Sequence, residues 1–296
     1  VNDNYDEASG GMQPIDVDKQ YHFFNPRAGV SYTLAERNNF YLSFAVAQKE
    51  PTRSDFTDRY KFAADDTYPS SEKLYDWELG YQYTAPRLSL GVNLYYMKYK
   101  DQLVPTGMVN DDSNALNTNV PDSYRRGVEL SASWRATGWF TVGANATFSQ
   151  NRIENYVDAL KDSPTYGKEL GDMTIAYSPD VIANAFLNFH HRGFEAVFHT
   201  QHVGKQYFTN NENDALSLDA YCVTNLNLAY TFRTRTARSV RLGLLINNLF
   251  NAEYESNGYG YSYMDTWSGP APVRIDEAYY FPQAPLNVLA NVTVKF

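Results

Sequence analysis

Two stretches hold the side chains best suited to gripping a ligand. In EPTRSDF (50–56), Arg53 stands between Glu50 and Asp55. A guanidinium there can clamp a carboxylate or an anionic chelate through paired hydrogen bonds. The same residues also suit an Arg–carboxylate pair that only fixes the loop. In SNGYGYSYMDTW (256–267), Tyr259, Tyr261, Tyr263 and Trp267 recur at short intervals. Rings of this kind stack on flat or cationic ligands, or on one another to hold a loop. Both stretches are read as candidate ligand-binding loops.

Other chemistry is poorly represented. His199 and His202, in HTQH, are three residues apart, which puts them on opposite faces of a strand and makes them a poor ligand pair. His190 and His191 fall in a short turn, and His22 stands alone; none joins a Cys/His cluster fit for zinc. There is no nucleophile elbow, P-loop or dinucleotide fingerprint, so neither an enzyme nor a cofactor is expected. The acidic pairs Asp65-Asp66 and Asp111-Asp112 read as solvated loop residues, and the Asn-x-Thr matches at Asn145 and Asn291 as chance.

The elements that must position these loops are strands. Phe40, Leu42, Phe44 and Val46 alternate with Tyr41, Ser43 and Ala45, and Leu286, Val288, Ala290, Val292, Val294 and Phe296 alternate with mostly polar residues. The same pattern recurs near 27–34, 39–48, 73–84, 87–98, 122–136, 139–150, 175–190, 193–207, 219–232, 239–251 and 284–296, which makes eleven strands and no helix. Connections alternate short (35–39, 85–87, 135–138, 190–193, 233–239) and long (49–72, 103–121, 154–174, 208–218, 252–283). Short turns at one end and long loops at the other are the signature of a transmembrane β-barrel.

Composition agrees. The chain has 296 residues, 16% of them aromatic, a net charge of −9 that argues against a nucleic-acid partner, and a single cysteine, Cys222. It has no apolar run of about 18 residues that would make a spanning helix. Beside the short turns, on the apolar parity, stand Tyr32, Phe40, Tyr83, Trp134, Phe140, Phe189, Phe194 and Tyr230, the placement a girdle at a water–lipid boundary requires. The other parity carries Asp76, Glu78, Asn93, Arg125, Glu129 and Asn145, too polar for a dry core and suited to a wet or plugged lumen.

Eleven is an odd count, whereas bacterial single-chain barrels have an even number of strands. Either a twelfth strand lies within 11–24, where Pro14 argues against one, or the chain is half of a barrel of about 22 strands, the size of plugged transporters. FNPRAGVSYTL (24–34), FAVAQKEPTRSDF (44–56), YPSSEKLYDWELGYQY (68–83), LYYMKYKDQLV (94–104), SYRRGVELSASW (123–134), YSPDVIANAFLNF (177–189), HVGKQYFTNNEN (202–213), INNLFNAEYESNGYGYSY (246–263) and YYFPQAPLNVLANVTVKF (279–296) resemble, in order, the C-terminal half of a TonB-dependent outer-membrane receptor of the kind abundant in Bacteroidetes.

The resemblance implies an all-β, antiparallel transmembrane barrel in the bacterial outer membrane, with residues 1–296 forming its C-terminal part. Plug, TonB box and N-terminal strands would lie outside the chain. It further implies uptake of a scarce nutrient, here a ferric siderophore by likeness to the iron-chelate branch. Its expected partners are outer-membrane lipid, TonB acting through the plug, an iron chelate or similar small ligand, and the barrel-assembly machinery reading the terminal Phe296. The rival readings are a passive porin of about twelve strands, and uptake of haem, another metal chelate or an oligosaccharide.

Overall fold

The computed structural model describes residues 2–6, 11–15, 18–57, 68–109 and 114–296, the first two as backbone pairing. The acidic pairs at 65–66 and 111–112 lie outside the described residues. In chain order the strands are β1 (Asn2–Asp6), β2 (Gly11–Ile15), β3 (Arg27–Leu34), β4 (Asn38–Lys49), β5 (Glu72–Thr84), β6 (Leu88–Val109), β7 (Ala115–Arg135), β8 (Phe140–Ile153), β9 (Met173–Thr174), β10 (Val181–His191), β11 (Phe194–Val203), β12 (Gln206–Tyr207), β13 (Ser217–Leu218), β14 (Tyr221–Phe232), β15 (Ser239–Asn247), β16 (Glu255–Asp265), β17 (Val273–Pro282) and β18 (Asn287–Lys295).

Eleven of these form one antiparallel sheet in the order β18-β15-β14-β11-β10-β8-β7-β6-β5-β4-β3, with the short β9 appended to β8. These are the eleven strands that alternation marks. The strand sought within 11–24 is β2, but it pairs with β1 and not with the wall. Among the described residues no twelfth long strand joins the wall. The sheet ends on β3 and β18, which do not pair with each other.

Register aligns the alternation of each strand with that of its neighbours. Val30, Leu42, Leu79, Leu94, Val128, Phe148 and Val181 make one continuous row. Val30, Leu42, Leu79, Leu94 and Phe148 are all exposed, between 47% and 64%. An apolar band this long, left open, is a surface meant to be covered by something other than water. The opposite face runs Tyr41, Gly80, Asn93, Glu129 and Thr147 in register. On it the Asn93 amide donates to Glu129 at 3.1 Å. Gly80 is required there: a Cβ would stand 2.0 Å from the ring of Tyr41, which lies flat across it.

At the short-turn end, Phe140 stacks on Phe189 at 4.3 Å, and Phe194 is in register with Tyr230. Tyr32, Phe40, Trp134, Phe194 and Tyr230 are exposed, while Tyr83, Phe140 and Phe189 are half-buried. All eight lie on the apolar face.

The long-loop end is more structured than alternation suggests. β6 and β7 continue past the wall and stay paired, from Gln102↔Val120 to Val109↔Ala115. The expected loop at 103–121 is thus mostly strand. Asp101, at φ 53°, interrupts the regular alternation there, and the period-two signal is lost although pairing resumes. The expected loop at 252–283 contains the hairpin β16–β17, whose Gly258 and Gly260 dilute its strand character. One short helix, α1 (Arg53–Thr57), stands where no helix was expected. The expected strand at 175–190 begins only at Val181, because the chain turns to the loops at Ala176 and Tyr177, whose amides donate to Asn210 and to the Tyr207 carbonyl; the strand expected at 193–207 stops at Val203, and Gln206–Tyr207 pairs away from the wall.

Two small cores hold these loops. Val104, Val120, Ile153, Tyr156 and Ile175 form one, and Phe208, Leu216 and Leu218 the other, with Ala278 against it. Asn210, fully buried, accepts from the Ala176 amide at 2.7 Å and donates to the Pro105 carbonyl at 2.6 Å. β16 also packs against β6. Six strand intervals separate β6 from β15 along the wall, so the loops converge across about 29 Å of wall.

Candidate functional site

The aromatic stretch forms a ladder on one face of the β16–β17 hairpin. Alternation places Tyr259, Tyr261 and Tyr263 on that face, and register sets Tyr279, Glu277 and Ile275 opposite them. The rings run in contact: Tyr259 on Tyr279 at 4.9 Å and 14°, Tyr261 on Tyr263 at 6.4 Å, and Tyr263 on Trp267 at 6.1 Å and 3°. Phe281 closes one end, 6.1 Å from Tyr259. Trp267, a residue 73% exposed, closes the other, with its amide donating to Asp265 at 3.1 Å.

The other face of the hairpin is its anchor. Gly258 lies where a Cβ would approach Phe208 and the Tyr279 carbonyl to 2.7 Å, and a Cβ at Gly260 would approach Leu216 and Phe208 to 2.9 Å. Only glycine lets the backbone lie this close to the small core. One face is fixed, and the aromatic face is left open.

Glu277 organises the ladder. Its carboxylate accepts from the Tyr261 hydroxyl at 2.7 Å, from Tyr279 at 2.8 Å and from Tyr263 at 3.1 Å. These bonds, Tyr261's first, hold the Glu277 carboxyl below its ordinary value, and the bond to Glu277 pushes the Tyr261 phenol up. With three phenols donating to it, Glu277 serves to lock rings rather than to ligate. The ladder offers stacking surface, pre-aligned, with little side-chain freedom left to lose on binding.

The second candidate divides into two roles. Asp55 is 8% exposed and accepts from the Thr52 amide and hydroxyl, both at 2.7 Å, and from the Asn117 amide at 2.9 Å. The first contact is half of a capping box on α1, and the last ties that helix to β7. Burial would raise the carboxyl, but the hydrogen bonds from Asn117 and Thr52 outweigh it and leave it below its ordinary value. Arg53, on the same helix, is exposed. The structure does not bring Arg53 or Asp55 to the ladder.

On the polar face of the wall, a concavity of about 340 Å³ is lined by residues including Glu78, Asn93, Tyr95, Arg125 and Glu129. Arg125 donates to the Ser178 hydroxyl at 2.8 Å. His199 and His202 fall on opposite faces of β11, since each residue of that strand pairs one-for-one with β14. Among the described residues no three His, Cys, Asp or Glu side chains gather as a metal site.

Sequence reasoning missed Glu277, Tyr279 and Phe281. Their alternation in EAYYF was visible, but their partnership with Tyr261 and Tyr263 required the hairpin register.

Comparison with known proteins fits this architecture. The family model described as "TonB dependent receptor-like, beta-barrel" matches residues 2–249. The ferric yersiniabactin uptake receptor FyuA of Yersinia pestis superposes with a TM-score of 0.62 at 19% identity, over 91% of this chain and 37% of that one. The ferric-catecholate import receptor Fiu of E. coli K12 gives 0.65 at 19% identity, over 96% and 36%. The copper transporter OprC gives 0.65 at 19% identity, over 91% and 39%. The chain thus spans little more than a third of the length of these structures, and at such identities the likeness is one of fold. With the family model matching most of its length and a wall of eleven antiparallel strands, the chain belongs to the TonB-dependent receptor-like β-barrel family.

Proposed function

We propose that the chain forms the ligand-facing wall and mouth of an outer-membrane importer whose cargo is a ferric siderophore. In this reading the apolar face meets lipid, the short turns face the periplasm and the long loops face outside. Transport is driven by TonB acting on a plug that fills the lumen, and Phe296 carries the signal that the barrel-assembly machinery reads. The observation that carries the proposal is the open ladder Tyr259–Tyr261–Tyr263–Trp267, rigidified by Glu277 and mounted among the long loops. An aryl-bearing or otherwise flat chelate gains stacking on several rings at once. Two of the similar structures are named for ferric chelates and one for copper, so the cargo has to be read from the loops.

The test is ligand binding by the whole receptor in detergent, followed through Trp267 fluorescence. Ferric siderophores of catecholate, phenolate and hydroxamate type would be compared with haem and with oligosaccharides. Quenching by a ferric siderophore, weakened about 2- to 10-fold per ring in Tyr259→Ala and Tyr263→Ala, is the expected result. Saturable binding of an oligosaccharide or haem with no response to any ferric siderophore would overturn the cargo assignment.

A further inference from the structure

The apolar face of the wall changes character towards the long-loop end of β4–β8, and it does so in three aligned rows. The first is aromatic: Phe44, Trp77 and Tyr96 in register, continued by Arg126 and Gln150. Its rings touch, Phe44–Trp77 at 5.2 Å and Trp77–Tyr96 at 5.8 Å. The second runs Val46, Tyr75, Lys98, Tyr124 and Arg152, and the third Gln48, Lys73, Lys100 and Asp122. Rows on one face are two residues apart, about 7 Å. A cationic band therefore begins beside a Trp/Tyr row and ends about 14 Å beyond it.

The cations are only partly answered from within the chain. Lys98 pairs with Asp122 at 2.8 Å and Glu154 at 2.7 Å, Lys100 shares Asp122, and Arg152 pairs with Glu212. Lys73 lies 4.9 Å from the centre of the Tyr75 ring, and Arg126 lies 5.2 Å from that of Tyr124 while donating to Gln150 at 2.9 Å and 2.6 Å. Neither meets a carboxylate among the described residues. Lys73 and Lys100 stand directly opposite each other across the β5–β6 pair. Like charges so placed are destabilising unless an anion lies between them. Five cations against three carboxylates is also a local reversal in a chain of net charge −9.

We infer that this band is a binding site for the phosphorylated headgroup of an outer-leaflet glycolipid. Lys73 and Lys100, opposite each other, hold the phosphate, Arg126, two rows nearer the apolar band, meets the rest of the headgroup, and the acyl chains descend along the Trp77–Tyr96 row and the apolar face below it. Three features select a lipid over a free anion. The site lies on the apolar face and not on the lumen side. Its aromatic row marks headgroup depth. Two ammonium groups facing each other across a strand pair suit a phosphate between them. The inference rests on the membrane orientation proposed above, but not on the cargo.

The experiment uses the whole receptor extracted from its native membrane in mild detergent. Phosphorylated glycolipid retained per protein is counted by mass spectrometry. The rise in thermal stability is then titrated with that glycolipid, with its enzymatically dephosphorylated form, and with inorganic phosphate. The triple variant K73Q/K100Q/R126Q is compared with R233Q/R235Q/R238Q, which removes the same charge from a short turn. At about fivefold per cation, the first variant binds the phosphorylated lipid roughly a hundredfold more weakly. The second binds it as the parent does, and salt weakens only the parent-like binding. Equal retention by K73Q/K100Q/R126Q overturns the site. So does equal stabilisation by the dephosphorylated lipid, which would leave acyl contacts alone, or by inorganic phosphate, which would make it a soluble-anion site. Siderophore binding measured on the same samples reports separately on the cargo: K73Q/K100Q/R126Q is expected to keep it, and its absence from the parent would count against the cargo alone.

Discussion

At the scale of single residues, carboxylates fasten the long-loop end. Asp55 has a folded-state value below the unfolded one, so its ionised form stabilises the native loop. That contribution is complete above the unfolded value of about 3.9 and is lost as pH falls through the folded value. Hydrogen exchange around α1 is therefore expected to quicken below about pH 4, and Asp55→Ala should cost about 1–2 kcal/mol of local stability at neutral pH. If exchange in Asp55→Ala matches the parent at pH 7, Asp55 does not fasten the helix. Glu277 acts on rings instead of backbone. With the carboxylate replaced in Glu277→Gln, the raised ionisation of Tyr261 should fall back towards that of an ordinary phenol, and alkaline absorbance titration reads this directly. An unchanged tyrosine titration would mean that Glu277 does not set the ladder.

At the scale of elements, two hairpins do what the alternation in the wall does not reveal. The β6–β7 extension carries Val104 and Val120 into a core with Ile153, which is fully buried. Ile153→Ala should therefore cost about 2–5 kcal/mol and expose 154–174 to protease; resistance equal to the parent would show that this core does not hold the loop. The β16–β17 hairpin depends on backbone contact at Gly258. In Gly258→Val the side chain has nowhere to go, since both Phe208 and the Tyr279 carbonyl block it. The hairpin should lift from its core, with faster exchange across 255–282 and weaker ligand binding, while the wall strands stay protected. Unaltered exchange in the hairpin would contradict that close approach.

At the scale of the whole molecule, the wall is an open sheet whose edge strands, β3 and β18, each have one side unpaired among the described residues. In lipid an unpaired edge is not viable, because no water satisfies its amides and carbonyls. Residues 1–296 refolded alone in detergent are thus expected to associate through these edges, or to lack the compact, heat-modifiable gel band of a closed barrel. A compact, heat-modifiable monomer from 1–296 would mean that β3 and β18 can close on each other. The same openness explains why the polar face, with Glu78, Arg125 and Glu129 around its concavity, is half-exposed: it is one side of a lumen.

Much of this was legible in the residues alone. Each wall strand announces itself by period-two alternation, because each has one face for lipid and one for a polar lumen, and that demand is local to the strand. All eleven, and the aromatic placement beside the short turns, follow from it. The loops obey no such local demand. Asp55 reads as an open carboxylate until Asn117, 62 residues away, is seen to donate to it. Tyr261 gains its meaning only from Glu277 across a hairpin, and Lys73 meets Lys100 only through register. Alternation therefore determined which face each strand shows. Only the tertiary structure decided which loop residues meet, because those contacts join segments that carry no trace of one another in sequence.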